Sequence, residues 1–296
     1  MARLEWDKES ERLYETGVKN CALYPWTKAA GTADKYVKLT NTVAPSDWAV
    51  GTTDKYYSKS GDTYTAITFT EVESAVSPAY VANTYYVKTK EDGYGKGVAW
   101  NGITAVNETP TGAEATDLYA DDMKYLSLLS AEELEGTVEA YMYPDEWEQC
   151  DGSASSEGVT FGQQARKQFC LAYVTTVGND TEGNDFGEKL HILYNAKASP
   201  SERAYATIND SPEAITFSWP IKATKMKVSD ANKAAMEETF GLQLKDTALI
   251  TINKVDKNGN KTPHYDEIYN ILYGSNDAEP RVLTPNEICA IMLGNG

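Results

Sequence analysis

Short runs of β-branched, aromatic and alternating residues, each closed off by Gly, Pro, Asn or Asp, recur through most of the chain and leave little room for anything but a β-rich fold. The runs are Val98–Val106, Met123–Leu129, Thr137–Tyr143, Gln168–Val177, Leu190–Asn195, Ala214–Lys222 and Thr247–Val255. In Thr137–Tyr143 and Gln168–Val174 small or polar side chains alternate with large ones, as on a sheet with one buried face. Helix signals are few. Pro144-Asp-Glu-Trp-Glu-Gln reads as a short helical turn begun by proline, and Ser229–Phe240 as a capped Ala- and Glu-rich helix. Tyr265–Tyr273 sets Ile268, Ile271 and Leu272 on one stripe. The expected fold is mainly β: a β-sandwich or barrel with one or two flanking α-helices.

The texture changes between residues 31 and 96. Leu, Ile and Met nearly vanish there, and a weak echo runs through ADKYVK, TDKYYSKSGDTY and ANTYYVKTKEDGY. The spacing suits β-hairpins turning at Ser60-Gly61-Asp62 and Glu91-Asp92-Gly93, not a solenoid. The domain expectation is a body made of residues 1–30 and 97–296, with an N-terminal arm over 1–17, and an inserted β-rich minidomain over 31–96. Trp48, Tyr56, Tyr57, Tyr64, Tyr80, Tyr85 and Tyr86 could form a glycan platform, but they suit better the core of a small domain short of aliphatics.

Charge is distributed unevenly. Of the net charge of −17, residues 97–296 hold 31 acids against 15 bases, so nearly all the acidity belongs to one body. Such a surface repels phosphate and disfavours tight duplex binding. The start, MARLEWDKESERLYETG, carries no apolar run, so neither an export signal nor a membrane anchor is expected.

No motif for chemistry survives inspection. A neutral-pH base is most often histidine, and only His191 and His264 exist, one at the start of a core-like strand and one in a turn beside Pro263. Cys21, Cys150, Cys170 and Cys289 form no CxxC pair and read as reduced thiols, Cys170 in a core strand. Asp256–Glu267 mimics the spacing of a calcium loop, but Lys261 stands where the sharp turn needs glycine. In VGNDTEGNDFGEKLH the acids Asp180, Glu182 and Asp185 alternate with small residues, and the stretch reads as a long hairpin tip, with Gly178, Gly183 and Gly187 serving the turn, between a strand ending at Val177 and one beginning near Leu190. No catalytic residue, no cofactor and no metal are expected.

Two runs carry a family resemblance. GVAWNGITAVNETPTGAEATDLYADDMKYLSLLSAEELEGTVEAYMYPDEWEQCDG and GQQARKQFCLAYVTTVGNDTEGNDFGEKLHILYNAKASPSERAYATINDSPEAITFSWPI closely resemble the major tail proteins of long-tailed bacteriophages, which stack as rings into a tail tube. The likeness is close over Gly97–Ile221 and looser over the first residues and over the end to Glu287, with no counterpart expected for 31–96. It implies a β-sandwich or barrel tail-tube subunit, six of which close a homohexameric ring, with tape measure protein and tail terminator or tip proteins as partners. DNA would pass through the lumen without specific binding. Asp121, Asp122, Asp180, Glu182, Asp185 and Glu188 become candidate lumen or ring-interface residues, and the minidomain an exterior ornament. Segments expected to order only on assembly are the arm, Asn107–Asp122, the acidic stretch and the tail after Gly274. The expected place is the virion tail, assembled in the host cytoplasm. The alternatives are the inner tube of a contractile tail or tailocin, or a bacterial surface binding protein, which would need an export signal.

Overall fold

A computed structural model describes the chain except residues 1–11, 29–33, 46–47, 49–54, 62, 73–74, 91, 113, 204, 206, 208–213, 277 and 295–296. Its first strands are β1 (Tyr14–Thr27), β2 (Asp34–Lys38), β3 (Tyr56–Ser60), β4 (Thr63–Ala66), β5 (Thr70–Val72), β6 (Ala75–Ser77), β7 (Tyr85–Lys90) and β8 (Gly93–Tyr94). Next come β9 (Val98–Ala99), β10 (Ile103–Thr111), β11 (Ala115–Ala120), β12 (Met123–Leu129), β13 (Glu133–Ala140), β14 (Ala154–Ser156) and β15 (Val159–Phe161). The last are β16 (Phe169–Asn179), β17 (Gly183–Ala198), β18 (Phe217–Ala223) and β19 (Leu249–Asn253). The α-helices are α1 (Glu148–Asp151), α2 (Asp230–Phe240), α3 (Tyr265–Tyr273) and α4 (Pro285–Met292). The protein is thus mainly β. It divides into two compact units, Met1–Trp26 with Lys96–Gly296, and Thr27–Gly95.

The smaller unit is built on the sheet β2-β7-β3-β4. Its interior is aromatic because it has few aliphatic residues to bury. The Trp48 ring lies 4.9–5.1 Å from those of Tyr56, Phe69, Tyr80 and Tyr85, and Tyr36 stacks on Tyr64 at 4.1 Å. Tyr56 and Tyr57 are buried. The rings are therefore core rather than an exposed platform. The β3–β4 hairpin turns at Gly61, whose φ of +58° favours glycine. On the N-terminal side of the second expected turn, β7 pairs with β2 and β3. Asp62 and Glu91 themselves lie outside the described residues.

In the larger unit the main sheet runs β10-β13-β18-β17-β16-β1, with β9 on β1 and β19 on β17. Strand β17 serves two neighbours in turn: Lys189–Leu193 pair with β19 and Ala196–Ala198 with β18. This change of partner bends the sheet, so that β10-β13-β18 and β16-β1 face each other across one core. Leu23, Val138, Ala140, Phe169, Leu171, Leu193 and Trp219 fill it, joined by Trp100 and Trp147 from outside the strands. Those three tryptophan rings lie within 4.5–5.7 Å of one another. Truncating one such buried indole costs on the order of 3–5 kcal/mol.

Strand β16 departs from the one-faced pattern its alternation suggests, since every residue from Phe169 to Val174 is buried. The reason lies on the face of Cys170, Ala172 and Val174. Tyr24, the cross-strand neighbour of Cys170, donates its hydroxyl proton to the Leu272 carbonyl of α3, and Tyr194 donates to the Leu283 carbonyl at 2.8 Å. A helical layer therefore covers the second face, and the small Cys170 and Ala172 leave room for it.

Helix α4 goes beyond the helices that periodicity marks. Thr284 accepts from the Glu287 amide while Glu287 accepts from the Thr284 amide, a reciprocal capping box with Pro285 at the first helical position. Cys289 of α4 packs with Val228 and with Met236 of α2. The tail after Gly274, expected to order on assembly, thus carries a docked helix, and Asn107–Asp122 lies largely in paired strands. Among the described residues no helix is long and apolar enough to cross a membrane.

Gly136 reports on the β10–β13 ladder. A Cβ there would sit 2.3 Å from the Asn107 carbonyl oxygen, which is backbone and cannot swing aside. Gly136→Ala should lower stability to denaturant by about 1–3 kcal/mol. Gly162→Ala, where a Cβ meets nothing within 4 Å, should change it by less than about 0.5 kcal/mol. Equal midpoints for the two variants would show that the ladder does not constrain this position.

Candidate functional site

The acidic stretch is a tight hairpin, not a long tip. β16 continues to Asn179 and β17 starts at Gly183, leaving only Asp180, Thr181 and Glu182 as the turn. The buried Asn179 organises it, its Oδ1 accepting from the amides of Thr181 and Glu182 at 3.1 and 2.5 Å. Gly178 and Gly187 do not serve the turn. They are strand positions where a Cβ would strike the Tyr14 ring at 2.4 Å and Val255 Cγ2 at 2.6 Å.

The candidate acids separate into three settings. Glu182 and Asp185 are exposed around the turn, and Asp180 beside them is 3.8 Å from the Arg12 guanidinium. Glu188 points back into the body, where Lys19 and Lys254 lie 2.7 and 2.8 Å from its carboxylate. Burial acts to raise its pKa, but the hydrogen bonds from those two lysines prevail and hold it below the usual glutamate value. Asp121 and Asp122 form the two-residue turn of the β11–β12 hairpin, both exposed and both at positive φ, +50° and +61°.

That hairpin has an unusual surface. All its residues are exposed on both faces, including Leu118, Tyr119, Met123, Tyr125, Leu126, Leu128 and Leu129. Tyr119, Met123, Tyr125 and Leu129 are each 68–73 % exposed. Contiguous apolar surface of this kind is rare on a lone subunit in water and marks an interaction site.

A polar network closes one end of the core. His191 stacks on Tyr173 with ring centroids 4.7 Å apart, and its nitrogens lie 3.2 Å from carboxylate oxygens of Glu108 on β10 and Glu15 on β1. Tyr173 donates to the same Glu108 oxygen, while Thr175 and Lys189 donate to Glu15. Hydrogen bonding to His191, opposed by burial and aided by Tyr173, holds Glu108 below the usual glutamate range. Burial tends to raise the Glu15 pKa, and the bonds from Lys189 and Thr175 lower it on balance. Only the strand position of His191 is legible in sequence. Its partners come from 83 and 176 residues away.

The remaining motifs resolve into structure. Asp256 accepts the amides of Asn258 and Asn260, so its oxygens close a turn around Gly259. Among the described residues no group of three or more His, Cys, Asp or Glu side chains is disposed to hold a metal ion. All four cysteines are buried and free, and burial pushes the Cys150 thiol up to about 12 and that of Cys170 well above its ordinary value, far from thiolate chemistry at neutral pH.

The larger unit is thus a β-rich body with a buried aromatic and aliphatic core, polar interior links and an apolar hairpin exposed on both faces. The family model of phage tail tube proteins matches residues 77–263, more than half of the chain, and the protein belongs to that family. The match begins inside the segment read as lacking a counterpart, so strand β7 falls within it. No curated protein matches the chain.

The glutamate network makes acid stability predictable. Glu108 binds its proton more weakly folded than unfolded, so its contribution is complete above the ordinary glutamate value and disappears as pH falls through the lowered folded value. Unfolding free energy measured from pH 7 to about pH 2 should show an acid decline that Glu108→Gln flattens. A parallel curve for the variant would detach the decline from this site.

Proposed function

We propose that this protein is a major tail tube subunit whose copies close into six-membered rings and stack into the conduit through which a long, non-contractile tail delivers its genome. The observation that carries the reading is the exposed apolar hairpin β11–β12 in a member of the tail tube family. A monomer gains by covering such a ribbon, at roughly 25 cal/mol for each Å² of apolar surface removed from water. A repeated contact between identical copies provides that cover. The role is structural and not enzymatic. Tape measure protein and the tail terminator or tip proteins are the further partners, assembly takes place in the host cytoplasm, and the 31–96 segment lies on the exterior.

The acidity has a use in such a tube. Six copies at −17 sum to about −102 per ring before counterions, and acids on the lumen keep a polyanion from adhering as it passes. Asp180, Glu182 and Asp185 at the β16–β17 turn are the best placed for this, because they cluster on one tip and Glu182 and Asp185 are exposed.

Electron microscopy of the purified protein should show ring-stacked tubes of uniform width, and dispersed monomers at high concentration would sink the reading. Reversing Asp180, Glu182 and Asp185 together to lysine should leave tubes intact and slow DNA ejection from assembled particles. Ejection at the normal rate would remove these acids from the lumen.

A further inference from the structure

Against its acidic background the larger unit carries a concave basic site. A groove of about 560 Å³ lies between the segment from Asp151 to Arg166 and the segment from Pro200 to Arg203. Its charged lining is Arg166, Arg203 and Asp151, a net positive patch on a chain of net charge −17. Asp151 is fully used: one oxygen accepts from Trp219 Nε1 at 3.1 Å and the other from Arg203.

Arg166 differs from the other described arginines. Arg12 faces Asp180, Arg203 faces Asp151 and Arg281 faces Glu287, whereas Arg166 has no carboxylate partner among the described residues. Its Nε is buried without a hydrogen-bond partner, and so is the Oγ of Ser201 in the same groove. Buried donors left unpaired are costly, and 44 acids are available in the chain. The guanidinium is also held in place. It lies against Gly152, where a Cβ would come within 3.0 Å of Arg166 Cζ, and its loop is fixed by Gln164 N donating to the Gly152 carbonyl and Lys167 N to that of Gln149. The groove thus sets a cation and a hydroxyl along one lining, the donor types that an oxyanion accepts from.

The same unit offers a complementary group. Asp121 and Asp122 sit side by side at the tip of the apolar hairpin, exposed and in no ion pair among the described residues. Covering that hairpin draws two adjacent carboxylates toward another surface, which is unfavourable unless a cation receives them. We propose that the Arg166–Ser201 groove is a socket for the Asp121–Asp122 turn of a second copy of this chain. The inference rests on the tube-subunit reading for its partner, and on the unpaired Arg166 for its site. It gives the hairpin a register: apolar flanks supply area, and the tip charge selects where they land.

The test is a charge swap in the full-length chain, read by sedimentation and electron microscopy, with thermal melting to confirm that each variant is folded. Arg166→Glu, Arg166→Gln and the double change Asp121→Lys with Asp122→Lys should each weaken self-association, the charge reversals by roughly 30-fold or more. Combining Arg166→Glu with the double change should restore it. Wild-type tubes that Arg166→Glu and Arg166→Gln leave unaltered overturn the socket and spare the tube reading. So does a folded swap that fails to recover. Oligomers other than tubes that still obey the swap support the socket and overturn the tube reading, whereas a wild type that remains monomeric overturns both. Citrate binding to wild type but not to Arg166→Gln, with assembly of the variant unchanged, identifies a small-anion site and overturns the socket.

Discussion

The antiparallel pair β16–β17 is the constraint on which the larger unit depends. Phe169–Val174 and Leu190–Tyr194 are dry on both faces apart from the polar His191, so every other element is positioned by what it must cover. One face requires a second sheet layer, supplied because β17 changes partner from β19 to β18 along its length. The other requires helices, which the tyrosine hydroxyls of Tyr24 and Tyr194 attach to the backbone of Leu272 and Leu283. A two-faced strand pair can be exposed on neither side, and the unit therefore cannot shed a layer without losing the whole core.

The polar network at His191 follows from that arrangement. Where the two sheet layers meet, β10 at one edge of the strand order comes over β16 and β17, and Glu108 reaches both Tyr173 and His191. A carboxylate there costs desolvation, which a phenol, an imidazole and the neighbouring Glu15–Lys189 pair offset. The network thus ties β1, β10, β16 and β17 by side chains where, among the described residues, no backbone ladder joins β10 to the rest of that group. Histidine here acts as a connector, consistent with its place in a core strand.

Strands and the better helices were legible because a two-residue or 3.6-residue period survives in one segment of sequence. Strand β1 was not, since its first half, Tyr14-Glu-Thr-Gly-Val-Lys-Asn, carries polar residues and Gly17 that read as an arm. Helix α4 left a signal in Thr284-Pro-Asn-Glu, a capping box with proline at its start, that the hydrophobic runs overshadowed. Gly178 and Gly187 are strand positions and not turn glycines. Glycine marks turns and also marks places where side chains from elsewhere press close, and here Tyr14 and Val255 are the reason. The basic groove has no period at all, being assembled from residues 151 to 203 by the closure of two loops.

Acidity, finally, does two different things in one chain. Where carboxylates are spread over an exposed turn, as at Glu182 and Asp185, no cation among the described residues pairs with them and their charge is left to solvent. Where they are met by lysine, as Glu188 is by Lys19 and Lys254, they join strands β1, β17 and the turn after β19 into one block. Identical acidic subunits repel one another at long range, so contact must be confined to a few places where that repulsion is locally cancelled. Arg166, the arginine without a carboxylate partner among the described residues, is scarce on such a surface, and scarcity is what would make the proposed contact specific, because nearly every other approach is opposed.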